Sequence, residues 1–189
     1  MLFKNSLYLI AALFTTSFSS ILYAESSLPT HCKQNEFAYL NALMANKKFF
    51  KERDGYRPYA RVKNGKVLSI CADKENEPLN LITYRYGAIG KVEIEINGTV
   101  ENQFSIYNQQ TTLRTGEDIL FFKTGGFTYY VTQATGQGSG IGLKVYKNGK
   151  QVVNLISEDP KDFESNLFFI NFSDASSPVF VLQEPFDPI

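Results

Sequence analysis

The residues with the most chemical potential are few and scattered. Gly136-Gln137-Gly138-Ser139-Gly140-Ile141-Gly142 sets one serine in a run of glycines. A nucleophile elbow needs glycine two residues to either side of the serine, and those positions hold Gln137 and Ile141. A dinucleotide loop needs G-x-G-x-x-G between a strand and a helix. Counted from Gly136, the last glycine position is Ile141, and a strand is expected next. The bland reading of the run is a hairpin or bulge loop. The functional one is a loop of little side-chain bulk, with Gly138, Ser139 and Gly140 entering a partner's cleft and binding through backbone groups.

Other chemistry is thinner still. His31 is the sole imidazole and sits beside Cys32; a dyad with Ser139 requires a meeting in space that nothing in the sequence dictates. Asp73, Glu75 and Glu77 alternate near a turn but lack the glycine and bidentate glutamate of a calcium loop. Glu93 and Glu95 share one strand face, and paired carboxylates do glycoside hydrolysis only at a defined separation in space. Tyr84, Tyr86, Tyr129, Tyr130 and Tyr146 supply rigid amphipathic rings that line a sugar or peptide groove or fill a β core. No catalytic set, metal site or cofactor is expected from these residues.

The elements that must position them are mostly strands. Alternation places Val92, Ile94 and Ile96 on one face and Lys91, Glu93 and Glu95 on the other. Runs at 79–86, 119–123, 127–133, 141–147 and 151–156 are short and rich in Tyr, Phe, Val and Ile, and 167–172 reads as a further strand. Asn64-Gly65, Asn97-Gly98, Gly125-Gly126 and Asn148-Gly149 have the chemistry of two-residue hairpin turns, because Gly and Asn tolerate the positive φ these turns need. One helix is expected over Glu36–Lys51, where Phe37, Leu40, Leu43, Met44 and Phe50 approach the i, i+3, i+4 pattern behind an Asn35 cap. The expected fold is therefore mainly β, an antiparallel meander forming a barrel or sandwich with one N-terminal helix.

Residues 1–24 read as a secretory signal peptide: Lys4, an apolar run from Leu7 to Phe14, then small and polar residues ending at Ala24. Residues 25–189 form one β-rich domain. The apolar run is short of the ~20 residues that span a bilayer, so no transmembrane segment is expected in the mature chain, which is periplasmic or secreted. In such a compartment Cys32 and Cys71 make one disulfide, stabilising the fold by about 4 kcal/mol in the chain-entropy account. The chain carries 19 basic and 19 acidic groups with no clustered basic stripe. Nucleic acid, which is held by neutralising many phosphates, is not an expected partner.

Tyr84-Arg85-Tyr86-Gly87 followed by Lys91-Val92-Glu93-Ile94-Glu95, and preceded by Ile70-Cys71-Ala72-Asp73, resembles exported bacterial proteins of uncharacterised function with a Tyr-Arg-aromatic-Gly turn between two strands. The Ser139-Gly140 pair is similar to the inhibitor loop of periplasmic lysozyme inhibitors, and the chain also resembles immunity proteins against secreted cell-wall hydrolases. The inhibitor pattern has a Tyr three residues after that Gly, where this chain has Leu143.

These observations lead to an expected function. The chain is a binding protein that inhibits or neutralises a cell-envelope enzyme by steric occlusion. Gly138, Ser139 and Gly140 with Tyr129 and Tyr146 form its contact surface, and Arg85 and Lys144 supply rim charges. Two alternatives are an envelope glycan or peptide hydrolase with paired carboxylates, and a surface-interaction protein that adds a strand to a neighbour's sheet, with an edge near 167–172 or the C-terminus.

Overall fold

The computed structural model describes residues 28–49, 59–110, 112, 114–136 and 140–186. The expected signal peptide and the tip residues Gln137, Gly138 and Ser139 lie outside them. In chain order the strands are β1 (Phe37–Phe49), β2 (Tyr59–Ala72), β3 (Ile82–Ala88), β4 (Lys91–Gly98), β5 (Phe104–Gln110), β6 (Thr115–Thr124), β7 (Phe127–Gly136), β8 (Gly140–Lys147), β9 (Lys150–Ser157), β10 (Phe163–Ser165) and β11 (Phe180–Leu182).

All eleven strands belong to one sheet, in the order β11-β5-β6-β7-β8-β9-β1-β2-β3-β4, with β10 added beside β1. Two meanders, β1 to β4 and β5 to β9, are joined where β9 pairs with β1 through Ala45↔Ile156 and Asn46↔Leu155. Every pairing is antiparallel except that of β11 with β5. The sheet is not closed into a barrel. It folds over so that β3 meets β6 and β7: the Tyr84 ring lies 5.2 Å from Phe122 and 5.7 Å from Tyr129, and Phe104 stacks on Phe122 at 4.3 Å. Burying such large rings supplies the non-directional part of the stability.

The expected N-terminal helix is not there; residues 37–49 are strand β1. Register shifts between Ala38 and Leu40 and between Leu43 and Ala45 explain the misleading pattern. Phe37 and Tyr39 face the core before the first shift, and Leu40, Ala42 and Met44 after it. Two out-of-phase strand segments thus imitate helical spacing, because a bulge adds one residue to a period-two pattern. Pairing with β2, β9 and β10 fixes the extended form.

Turn chemistry is realised selectively. Gly125-Gly126 and Asn148-Gly149 make the β6–β7 and β8–β9 hairpins, with φ of 55°, 78°, 51° and 73° in that order. Asn64-Gly65 instead lies inside β2, where Gly65 has φ 69° and its neighbourhood is the extra length opposite the second β1 shift. Asn97-Gly98 ends β4 without forming a hairpin: a Cβ on Gly98 would lie 2.7 Å from Ile82 Cγ2 and 2.9 Å from the Phe104 ring, so this glycine marks close approach. The β3–β4 turn falls at Ile89-Gly90, after the Tyr84–Gly87 motif rather than within it. The strand expected over 167–172 is replaced by a 3-10 turn at Leu167–Phe169.

Candidate functional site

Gly136 and Gly140 end the two arms of a long hairpin. β7 and β8 pair from Phe127↔Lys147 to Ala134↔Gly140, with β6 on one side and β9 on the other. Two glycines of the run have local explanations. A Cβ on Gly142 would lie 2.5 Å from Thr132 Oγ1, and one on Gly140 would lie 3.3 Å from both Glu158 Cγ and the Ser157 carbonyl. Close packing between strands therefore accounts for part of the glycine content.

The other expected contact residues do not converge on that tip. Tyr129 pairs with Val145 and faces the core, stacked on Phe122 at 5.2 Å. Tyr146, paired with Thr128, faces the opposite side of the sheet, edge-on to Tyr130 at 5.7 Å. Lys144 is half-buried on β8, opposite Tyr130. Neighbouring positions on paired strands point to opposite faces, so one surface cannot contain both tyrosines.

Arg85 is not a rim charge: it is 2% exposed, the largest fully buried side chain among the described residues. It sits in a row of polar residues running across four strands on the face away from the core, Asn41↔Ser69, Ser69↔Arg85, Arg85↔Glu95. Residues 28–36 cover this row. Arg85 Nη1 and Nη2 donate to the two Glu36 carboxylate oxygens at 2.5 and 2.9 Å, Nε donates to Glu95 at 2.7 Å, and Nη1 also donates to the His31 carbonyl at 3.2 Å. The His31 amide donates to Ser69 Oγ, which donates to Asn41 Oδ1. The Arg85 guanidinium holds the Glu36 carboxyl below the usual carboxylate range, and in turn Glu36 raises Arg85 further. Such a fork matches bidentate Arg–carboxylate geometry.

Cys32 and Cys71 are joined beside this network, with Cα atoms 5.5 Å apart. They and Glu36 place ligand-type atoms within 4.8 Å of one another. In the bonded state neither sulfur is a thiolate, and Glu36 is engaged by Arg85, so the trio as it stands is a staple rather than a metal cradle.

Three further carboxylates, Glu93, Asp73 and Glu77, are similarly committed. Glu93 accepts from Lys66 Nζ at 2.5 Å, and that contact holds its carboxyl below the ordinary range. Asp73 accepts from the amides of Asn80 and Leu81, while Glu77 accepts from the Ser176 and Ser177 hydroxyls. Tyr39 donates to the Glu75 carbonyl at 2.6 Å; burial first, then the nearby acidic groups, push its phenol up to about 12. His31 Nε2 lies 3.4 Å from the Gly87 carbonyl.

Comparison with family models, with curated proteins and with solved structures finds no match for this chain. A disulfide-bonded β domain, with no helix among its described residues long and apolar enough to cross a membrane, is compatible with an extracellular or periplasmic location.

Tyr84 is the residue whose place was hardest to foresee. Its ring is in the core, 1% exposed, between Phe122 and Tyr129 of the second meander. Alternation along β3 puts Tyr84 and Tyr86 on one face, which is readable; that Tyr129 from the second meander meets Tyr84 is not.

Proposed function

We propose that this is an exported binding protein, in the periplasm or outside the cell, that neutralises an enzyme of the cell envelope by occluding its cleft with the β7–β8 tip. The reading is carried by the base on which that tip stands. Eight paired positions, flanked by β6 and β9, hold the ends Gly136 and Gly140, so the two arms that carry the tip are fixed before any partner arrives. The engagement of Glu36, Glu93 and Glu95 by Lys and Arg weighs against the hydrolase alternative, which needs a carboxyl free to hold or release a proton. Among the described residues, strand addition at the C-terminus has only the three-residue β11 to offer, already paired with β5 on one side.

Titrating the purified chain into lysozyme and other envelope hydrolases, with clearing of a cell-wall suspension as readout, tests the proposal. The expected result is stoichiometric inhibition of one enzyme by the native chain, lost when Gly138 and Ser139 are both replaced by Leu, with the melting temperature unchanged. Inhibition by the tip variant equal to that of the native chain, or no inhibition across the panel, overturns it.

A further inference from the structure

The two turns that join β6 to β7 and β8 to β9 frame a hollow. It measures about 470 Å³ and lies between Gly125-Gly126 and Asn148-Gly149, at the end of the β7–β8 hairpin opposite its tip. That volume falls within the range of small-molecule sites, roughly 300–1,000 Å³. A Cβ on Gly125 or Gly126 would meet nothing within 4 Å, so this turn presents bare backbone to open space.

Two aromatic residues line the hollow, and each carries a lysine over its ring. Lys123, itself a lining residue, holds Nζ 3.5 Å from the centre of the Phe186 ring, and Lys147 holds Nζ 5.0 Å from that of Phe127. Phe186 is 51% exposed, so ring surface remains open to a further contact. The charge here is one-sided. Lys147 stands directly opposite Lys150 in the β8–β9 register, a like-charge juxtaposition that costs stability. No acidic residue occurs in 123–128 or 147–151, and none lines the hollow. A chain with 19 basic and 19 acidic groups thus has a local positive excess at this end, made by Lys123, Lys147 and Lys150.

We propose that the hollow binds a small aromatic carboxylate, its flat body against Phe186 and the bare glycine turn, its anionic group accepting from Lys123 Nζ, and Lys147 and Lys150 adding to the attraction. Such a ligand relieves the repulsion between Lys147 and Lys150 while its rings leave water for apolar surface. A neutral molecule of the same shape gains only the second contribution, and a cation meets three like charges. The site shares no residue with the β7–β8 tip, so its failure would leave the occlusion reading standing.

The probe is 2-naphthoate, titrated calorimetrically into the purified chain at low ionic strength, with 2-naphthalenemethanol as its neutral counterpart. The expected result is saturable binding of one naphthoate per chain, about tenfold tighter than the alcohol and weakened by added salt. Lys123→Gln weakens naphthoate about tenfold, to the level of the alcohol. Lys91→Gln, the same loss of charge on β4, leaves binding unchanged. Absence of saturable binding overturns the proposal. So does an alcohol that binds as tightly as naphthoate, naphthoate binding by folded Lys123→Gln equal to that of the native chain, or a loss in Lys91→Gln as large as in Lys123→Gln.

Discussion

Each meander hides its outer face under one end of the described chain, and the two covers are made of opposite materials. Residues 28–36 lie over β1 to β4 and are held by a disulfide, a buried guanidinium and two carboxylates. Residues 183–186 lie over β5 to β8, where Ile119, Phe121, Tyr130 and Tyr146 form a second apolar cluster. There Phe186 stands edge-on to Phe121 at 5.7 Å, its ring under Lys123 Nζ at 3.5 Å, and its amide donates to the Tyr130 hydroxyl. Gln183 accepts from Ser105 Oγ and donates its amide to the Ile106 carbonyl. The lesson is one of tolerance: an apolar cover loses area when trimmed, whereas an ionic cover that loses one member leaves a buried charge behind.

The comparison is tested most severely at Arg85. Arg85→Leu strands the largely buried Glu36 carboxylate, and the expected loss is about 3–5 kcal/mol in urea unfolding. A loss as small as that of an exposed surface change would mean that the N-terminal cover contributes no ionic stability. Phe186→Ala is expected to cost about 1–2 kcal/mol, through the lost ring contact and the cation above it, because Phe186 is already half exposed. If it costs more than Arg85→Leu, the ranking of the two covers is reversed. The smallest effect is acid sensitivity. Glu36 has a lowered folded-state pKa, caused first by its hydrogen bond to Arg85, so its contribution is present above its unfolded value near 4.5 and is lost as pH falls through the lower folded value. Unfolding midpoints followed from neutral pH downward should fall in the native chain, and less steeply in Glu36→Gln.

Much of this architecture was legible. Strand identity in the second half followed from alternation and from Gly125-Gly126 and Asn148-Gly149, since local turn chemistry and period agree there. The helix expected at 36–51 failed because the two bulges in β1 are invisible without the partner strand β2. Asn64-Gly65 failed for the same reason, the same dipeptide serving a hairpin at 148–149 and a bulge at 64–65. The Cys32–Cys71 bond follows from two cysteines in a chain expected to be exported, and the structure joins them. Arg85 was placed at a rim because sequence alone does not show that residues 28–36 fold back over β3. Tyr129 and Tyr146 were grouped by proximity in sequence, and strand geometry sends them to opposite faces.

β1 is the seam of the molecule, and the source of its two neighbours sets the order of assembly. β2 follows it directly, but β9 and β10 are drawn from residues 150–165. Bringing Ala45 to Ile156 closes a loop across most of the chain, a non-local step that slows folding. Until it closes, the far edge of β1 is a row of bare backbone donors and acceptors. A chain clipped before Lys150 keeps that row permanently, and so becomes a template for intermolecular strand pairing rather than a smaller working protein.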